Sequence, residues 1–352
     1  MPVDEPRWWY DAPEAAPARL LQPLGWLAGR IAGHRWRSAR PHLSGLTVVC
    51  VGNFTAGGTG KTPLALEIAR LLRQLGETPV FLSRGYGGTE RGPHRVDAAN
   101  DAASAVGDEP LLLARTASVV VCRDRAAGAR SIEAEIAAGR LAATVIVMDD
   151  GLQNPQLAKD LTLAVVDGRR GFGNGRVIPA GPLRAPLALQ FARTDAVIVN
   201  EPPGLPQPGA AANDLRQRFA GPVLAATVTI APPAPRLAER PIVAFAGIGN
   251  PQRFFELIRG HGGTVVAELA FADHQPLGDA DAARILETAR RQSAMIVTTE
   301  KDMARLAGAS GASAAQLRAT AVALPIKLAL PAADEKRLIH LLRAAIASKR
   351  RS

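Results

Sequence analysis

From Leu46 onward the chain alternates short apolar runs with longer mixed stretches. Leu46 to Val51, Pro79 to Leu82, Ser118 to Val121, Thr144 to Met148, Leu161 to Val166 and Ala196 to Val199 are almost free of polar residues. Runs of that length without alternation predict strands covered on both faces. Lys61 to Leu75, Glu109 to Arg115 and Arg123 to Ala138 lie between them with helical spacing. Such alternation predicts an α/β fold, a parallel sheet with helices on both faces. Stretches rich in Pro, Gly and Ala at Glu201 to Pro208 and Ile230 to Pro235 interrupt the pattern. A second set of strands then follows at Ile242 to Ala246, Thr264 to Leu269, Ala294 to Val297 and Ala321 to Ile326, predicting a smaller C-terminal α/β domain. With a boundary between Ala231 and Arg240, the expected parts are residues 1–44, 45–235 and 236–352.

The first forty-odd residues have a different pattern. Leu20, Leu24, Leu27 and Ile31 fall on one stripe of a helix, and Pro23 is acceptable only in its first turn, so the helix should start near Leu20 to Gln22. All four tryptophans (Trp8, Trp9, Trp26, Trp36) lie here, and Ala15 to Ser44 holds five arginines and no acid. An apolar face with Trp and flanking Arg is the make-up of a helix lying in a membrane interface. The plainer alternative is an amphipathic helix resting on its own domain. No apolar stretch approaches the roughly 18 residues that a membrane span needs. The acidic, Pro-containing segment Met1 to Glu14 does not read as a signal peptide. Cys50 and Cys122 each end a Val-rich run and read as reduced, buried strand residues. The expected location is therefore the cytosol or the cytosolic side of a membrane.

A chain of 352 residues is long enough for about two domains. Its formal charge is +10, and 36 of its 42 basic residues are Arg. That excess fits either an Arg-rich coding bias or a surface for anions. Aromatics make up only 4% and, past residue 40, do not interleave with Arg, so no nucleic-acid partner is expected. No feature points to a protein partner.

Thr55-Ala56-Gly57-Gly58-Thr59-Gly60-Lys61-Thr62 follows one predicted strand and opens a helix. In that context the loop's N–H groups cradle phosphate, Lys61 reaches the terminal phosphates of ATP and the Thr62 hydroxyl ligates Mg²⁺. The usual first Gly of the motif is Thr55 here. Thr144 to Met148 is an apolar strand ending in Asp149-Asp150, at the edge where ligands bind in open sheets. Either carboxylate could serve the metal.

Further blocks are Val51-Gly52-Asn53, Ser83-Arg84-Gly85-Tyr86-Gly87-Gly88, Gly107-Asp108-Glu109-Pro110, Asp149-Asp150-Gly151-Leu152-Gln153, Phe172-Gly173-Asn174-Gly175, Pro179-Ala180-Gly181-Pro182, Phe271-Ala272-Asp273-His274 and Thr299-Glu300-Lys301-Asp302. Their order resembles that of the tetraacyldisaccharide 4′-kinases of lipid A biosynthesis, over roughly residues 20 to 345. The resemblance implies transfer of the ATP γ-phosphoryl group to the 4′-hydroxyl of a tetraacyldisaccharide 1-phosphate, giving lipid IVA at the cytoplasmic face of a Gram-negative inner membrane. It implies an Asp–His pair, here Asp108 and His274, with His274 orienting Asp108 or raising its basicity. Asn53, Tyr86, Glu109, Arg125, Gln153 and Arg184 carry over as nucleotide, metal or substrate contacts. Arg169, Arg170, Arg176 and Arg184 are suited to an acceptor that carries phosphate and hydroxyls. Asn154 stands where the family commonly has His, and Lys301 receives no role. The rival reading is a membrane-associated P-loop switch ATPase, although such loops usually carry a Lys where Ala56 stands.

Overall fold

Thr47–Asn53, the first strand (β1), is buried along its whole length at the centre of a nine-stranded sheet. The computed structural model describes residues 5–10, 12, 14–202, 209–233 and 235–351. Parts of the acidic N-terminal segment and most of the expected interruption at Glu201 to Pro208 lie outside the described residues. The following strands are β2 Pro79–Ser83, β3 His94–Arg95, β4 Val119–Val121, β5 Val145–Asp149, β6 Leu161–Asp167, β7 Ala196–Asn200 and β8 Val223–Ile230. Later come β9 Ile242–Ala246, β10 Val265–Ala270, β11 Met295–Thr299, β12 Val322–Leu324 and β13 Ile326–Ala329.

The large sheet runs β13-β8-β7-β6-β1-β5-β2-β4-β3. It is parallel except at its two edges, where β13 pairs antiparallel with β8 and β3 with β4. The chain leaves β1 for β2 across β5, and β6 closes on the other side of β1, so the strand order switches beside β1. That crevice, at the carboxyl ends of the strands, is where an open α/β sheet binds ligands. Pairing of Val51 with Asp149 sets the end of β5 against the last residues of β1. The Val-, Ile- and Leu-rich strands are sandwiched between helices. Lys61–Gln74 and Ala332–Arg351 cover one face with Leu64, Ile68, Leu72, Leu338 and Leu342. Arg125–Ala137 and Ala210–Arg218 lie on the other, through Ala129, Ile132 and Leu215.

A second, four-stranded sheet, β10-β9-β11-β12, is wholly parallel. The sequence placed everything from residue 236 onward with this sheet, and the last part belongs elsewhere. The run Ala321 to Ile326 is two strands: β12 ends the small sheet, and β13 after Pro325 rejoins the large one, followed by the helix Ala332–Arg351 on its face. Pro325 has no N–H to give either ladder, which suits a crossing between sheets. Its carbonyl accepts from the Ala231 N–H at 2.8 Å, so the outgoing and returning chains cross side by side.

Gln22–Ser38 is the N-terminal helix, preceded by a short turn of helix at Ala16–Leu20. Its buried residues are Gly25, Gly29 and Gly33, whereas Leu20 is 78% exposed and Leu24, Leu27 and Ile31 are about half exposed. The glycines, not the apolar stripe, hold the helix to the body. A Cβ on Gly25 would meet the Val177 carbonyl oxygen at 2.5 Å and the Ala180 methyl at 3.2 Å. Gly25→Leu should therefore lift the helix by an overpacking cost of about 1–3 kcal/mol. Limited proteolysis should cut the variant near residues 16–38 with little change in the melting of the core, and unchanged resistance would refute the docking.

Candidate active site

The loop after β1 is held from two sides. Thr55 bridges Leu183 in antiparallel fashion, Ala56 N–H donates to the Pro182 carbonyl at 2.8 Å, and Asn200 Nδ2 donates to the Thr59 carbonyl at 3.0 Å. Thr55 thus behaves as strand, with no left-handed backbone, which explains how it replaces the expected glycine. Gly57 (φ 88°) and Gly60 (φ 104°) do adopt the left-handed region that only glycine enters cheaply. Gly60 precedes the helix Lys61–Gln74, whose first turn has no side-chain cap. Its first N–H groups thus form an anion site.

Carboxylates surround this anion site. Asp150 lies 3.8 Å from Lys61 Nζ, and Arg184 Nη1 donates to both its oxygens at 2.8 and 3.0 Å. Burial works against ionisation of Asp150, but Lys61 and Arg184 hold it well below the ordinary carboxylate range. Asp149, 1% exposed, is pushed up to about 7 by burial and by the charges of Glu109 and Asp150. Its Oδ1 has no hydrogen-bond partner, nor have the buried Asn53 Oδ1 and Thr59 Oγ1. Among the described residues, no three His, Cys, Asp or Glu side chains form a metal cage. Magnesium suits such a place, since it keeps waters and phosphate oxygens and takes only one or two protein ligands.

A cleft of about 790 Å³ lies between the two sheets. The phosphate loop, Glu109, Asp150, Arg169 and Arg184 line it on one side, and Asn250, Arg253, Phe254, His274 and Lys301 on the other. The two sides are joined by charge. Asp108 and Glu109 begin the helix Asp108–Ala114. His274 Nδ1 lies 3.3 Å from Asp108 Oδ1, Arg305 donates through Nε to Asp108 Oδ2 at 2.7 Å, and Lys301 Nζ donates to Glu109 Oε1 at 2.5 Å. The same Glu109 oxygen accepts from the Thr62 hydroxyl at 3.3 Å. Burial opposes the Asp108 charge, yet the bond to His274 and the charges of Arg305 and Lys301 hold its carboxyl far down. Burial likewise opposes the His274 cation, but the bond and charge of Asp108 raise it above the ordinary imidazole value. Arg253 adds a second strap, donating to Asp167 Oδ2 at 2.7 Å and to the Asn200 carbonyl at 3.0 Å. His274 (φ 57°) and Asp150 (φ 48°) are left-handed without being glycine, the kind of backbone strain that clusters at functional sites.

The structure thus brings Thr55 to Thr62, Asp108, Glu109, Asp149, Asp150, Arg184 and His274 together, with Tyr86 against the His274 ring at 5.0 Å between centroids. Asn53 and Gln153 brace the loop from behind, through Asn53 Nδ2 to the Gly57 carbonyl and Gln153 Nε2 to the Asn53 carbonyl. Arg125 does not reach the cleft. It is 2% exposed and donates to the carbonyls of Cys122 and Asp149, so it supports the end of β5. Arg170 pairs with Glu5, and Arg176 faces the hollow under the N-terminal helix. Lys301, Asp302, Arg305 and Arg253 were missed. Lys301 and Arg305 stand four apart on one helix, Glu300–Ala307, a signal that means nothing until their partners on the helix Asp108–Ala114 are known.

Residues 17–347 match the family described as tetraacyldisaccharide-1-P 4′-kinase. The tetraacyldisaccharide 4′-kinase of Nitrobacter winogradskyi is 48% identical over 353 residues, covering 99% of each chain. That of Rhodopseudomonas palustris is 52% identical over 309 residues, covering 86% of this chain and 85% of its own. The chain belongs to the tetraacyldisaccharide 4′-kinase family. The fold agrees: LpxK from Aquifex aeolicus, crystallised in complex with ATP, superposes with a TM-score of 0.70 at 24% identity, over 94% of this chain and 99% of that one. In this 4′-kinase family member the raised Asp149 has a measurable consequence. A carboxyl that ionises less readily folded than unfolded favours the fold below its ordinary value of 3.8, and that advantage is lost as pH rises towards about 7. Without metal, Asp149→Asn should match the wild type in denaturant at pH 4 and exceed it by up to about 4 kcal/mol at pH 8. Equal stabilities at pH 8 would show that Asp149 is not a strained acid.

Proposed function

We propose that this chain is an ATP-dependent kinase that transfers the γ-phosphoryl group to the 4′-hydroxyl of a tetraacyldisaccharide 1-phosphate in lipid A biosynthesis. What carries the reading is one cleft between the two sheets that faces both the phosphate loop and His274, with the buried Asp108 behind the His274 ring. ATP fits the loop. Mg²⁺ fits Thr62 with Asp149, whose oxygen lacks a partner, better than Asp150, whose oxygens Arg184 already engages. When bound, the metal neutralises phosphate charge. Lys61 holds the terminal phosphates, and the loop N–H groups fix their direction.

The proton is handled by the pair, in the reverse of the order expected from the sequence. Asp108 accepts from the Glu109 N–H at 2.8 Å and from Arg305, and a carboxylate held so firmly as an anion is a poor proton acceptor. His274 is the better acceptor. Its Nδ1 faces Asp108, its ring lies beside the exposed Tyr86, and it lines the cleft. Asp108 orients the ring and stabilises the imidazolium formed when the acceptor hydroxyl gives up its proton. The kinase core then comprises residues 45–230 with 326–351, and residues 236–324 form the domain that closes the cleft.

A lipid acceptor stays in the bilayer, so the enzyme must reach it there. Among the described residues no helix is long and apolar enough to cross a membrane. The outward face of the N-terminal helix supplies an alternative, with Leu24, Trp26, Leu27 and Ile31 exposed, Leu20 exposed just before it, and Arg30 over the Trp26 ring. This face would lie in the cytoplasmic leaflet of the inner membrane.

Purified protein with γ-labelled ATP, Mg²⁺ and the lipid acceptor in micelles should move label to the lipid, and Lys61→Ala should not. His274→Gln should lower kcat about 100-fold or more with ATP affinity kept. Label released only as inorganic phosphate, indifferent to lipid, would instead favour a switch ATPase. Replacing Leu24, Leu27 and Ile31 together by Ser should weaken binding to anionic vesicles about tenfold or more while leaving ATP affinity alone. Unchanged vesicle binding would remove the membrane role of the helix.

A further inference from the structure

A bare carboxylate beside an imidazole does two things at once. It orients the ring, and it holds the ring protonated, which would disable it as a proton acceptor near neutral pH. The Asp108 carboxylate is not bare. Arg305, whose side chain is 7% exposed, donates to Asp108 Oδ2 through Nε at 2.7 Å and through Nη2 as well. The guanidinium is held from behind by its own domain. Nη1 donates to Asp302 Oδ1 at 2.8 Å and to the Gly247 carbonyl at 2.5 Å. Asp302 is fully buried and fixed in turn by the Thr299 hydroxyl at 2.6 Å and the Gly247 N–H at 3.1 Å. The Gly247 carbonyl also accepts from the His274 N–H at 3.2 Å, so one backbone turn carries both the ring and the guanidinium. The position of Arg305 is therefore set without help from Asp108.

We propose that Arg305 is a positioning residue that sets the proton affinity of His274 by offsetting the Asp108 charge, and that Asp302 limits how strongly it does so. The proposal rests on the reading of His274 as the proton acceptor. The groups facing His274 are Asp108, with Glu109 and Arg305 behind it, Asp273 at 3.6 Å from Nε2, Tyr86 on the ring, and Lys301 on the far side of Glu109. Of the two cations on the Glu300 helix, only Arg305 bonds to the carboxylate that bonds to His274.

The full-length chain in detergent micelles, with ¹³C-labelled histidine, gives the test. The protein has six histidines, and the signal lost in His274→Gln identifies the one of interest. Arg305→Gln should raise the His274 midpoint by about one pH unit, the scale of a lost neighbouring charge. Arg305→Lys keeps the charge and should leave it within about 0.3 units. Asp302→Asn, which frees the guanidinium for Asp108, should lower it. The rising acid limb of kcat/KM should move in the same direction in each variant. An unmoved or lowered midpoint in Arg305→Gln, in protein that still binds ATP, overturns the proposal, as does an equal shift in Arg305→Lys. Should Arg305→Gln fail to fold, Asp302→Asn decides, and a midpoint that stays or rises overturns it. Midpoints that move as expected under a fixed kinetic limb support the role of Arg305 and overturn His274 as the acceptor.

Discussion

Asp108 and Glu109 stand side by side at the start of one helix at the seam between two sheets, Asp108 buried and Glu109 partly so, and each takes its countercharge from the far side. An unpaired buried carboxylate would cost several kcal/mol. Arg305 and Lys301 remove that cost only while the small sheet is seated on the large one. The seam is therefore a condition for the site's electrostatics as well as a contact. Through Glu109 it reaches Thr62, and through Asp108 it reaches His274, so a single helix touches both the phosphate loop and the His274 turn of the small sheet. The chain crosses between sheets at Ala231 and Pro325, next to each other, which leaves this charged seam to set how the halves meet.

The segment Val177 to Pro186 joins three parts of the function. It holds the phosphate loop through Leu183 and Pro182, it reaches Asp150 through Arg184, and it receives the glycine face of the N-terminal helix at Val177, Ala180 and Pro186. The N-terminal helix and the phosphate loop thus share one support. Glycine at every fourth position brings the helix backbone close to that support, and the larger apolar side chains are left for the outside. On the proposed function, an apolar stripe turned outward beside a rigid phosphate site would suit an acceptor whose acyl chains remain in a bilayer while its sugar enters a cleft.

Much of the site was readable along the chain because its parts are local. The glycines of the phosphate loop follow from backbone conformations that other residues avoid, and Thr55 shows the limit: a position that forms a strand bridge has no need of glycine. The Asp149-Asp150 end of β5 follows from an apolar strand running into acid. The placement of Arg125 was not legible, because its neighbourhood in sequence does not say which way a side chain turns. It turned under the sheet edge, to two carbonyls.

By itself the sequence determined the parallel sheet, the phosphate loop and the stripe of leucines on the N-terminal helix, since each depends on spacing within a few residues. It also carried the motifs that place the chain in the 4′-kinase family. The tertiary structure decided which face of that helix meets the body, that the last strand and helix return to the large sheet, and that Lys301 and Arg305 take the charges of Glu109 and Asp108. Those pairings join residues almost two hundred positions apart. Burial makes their charges matter, and burial is a property of the folded chain that no local pattern encodes.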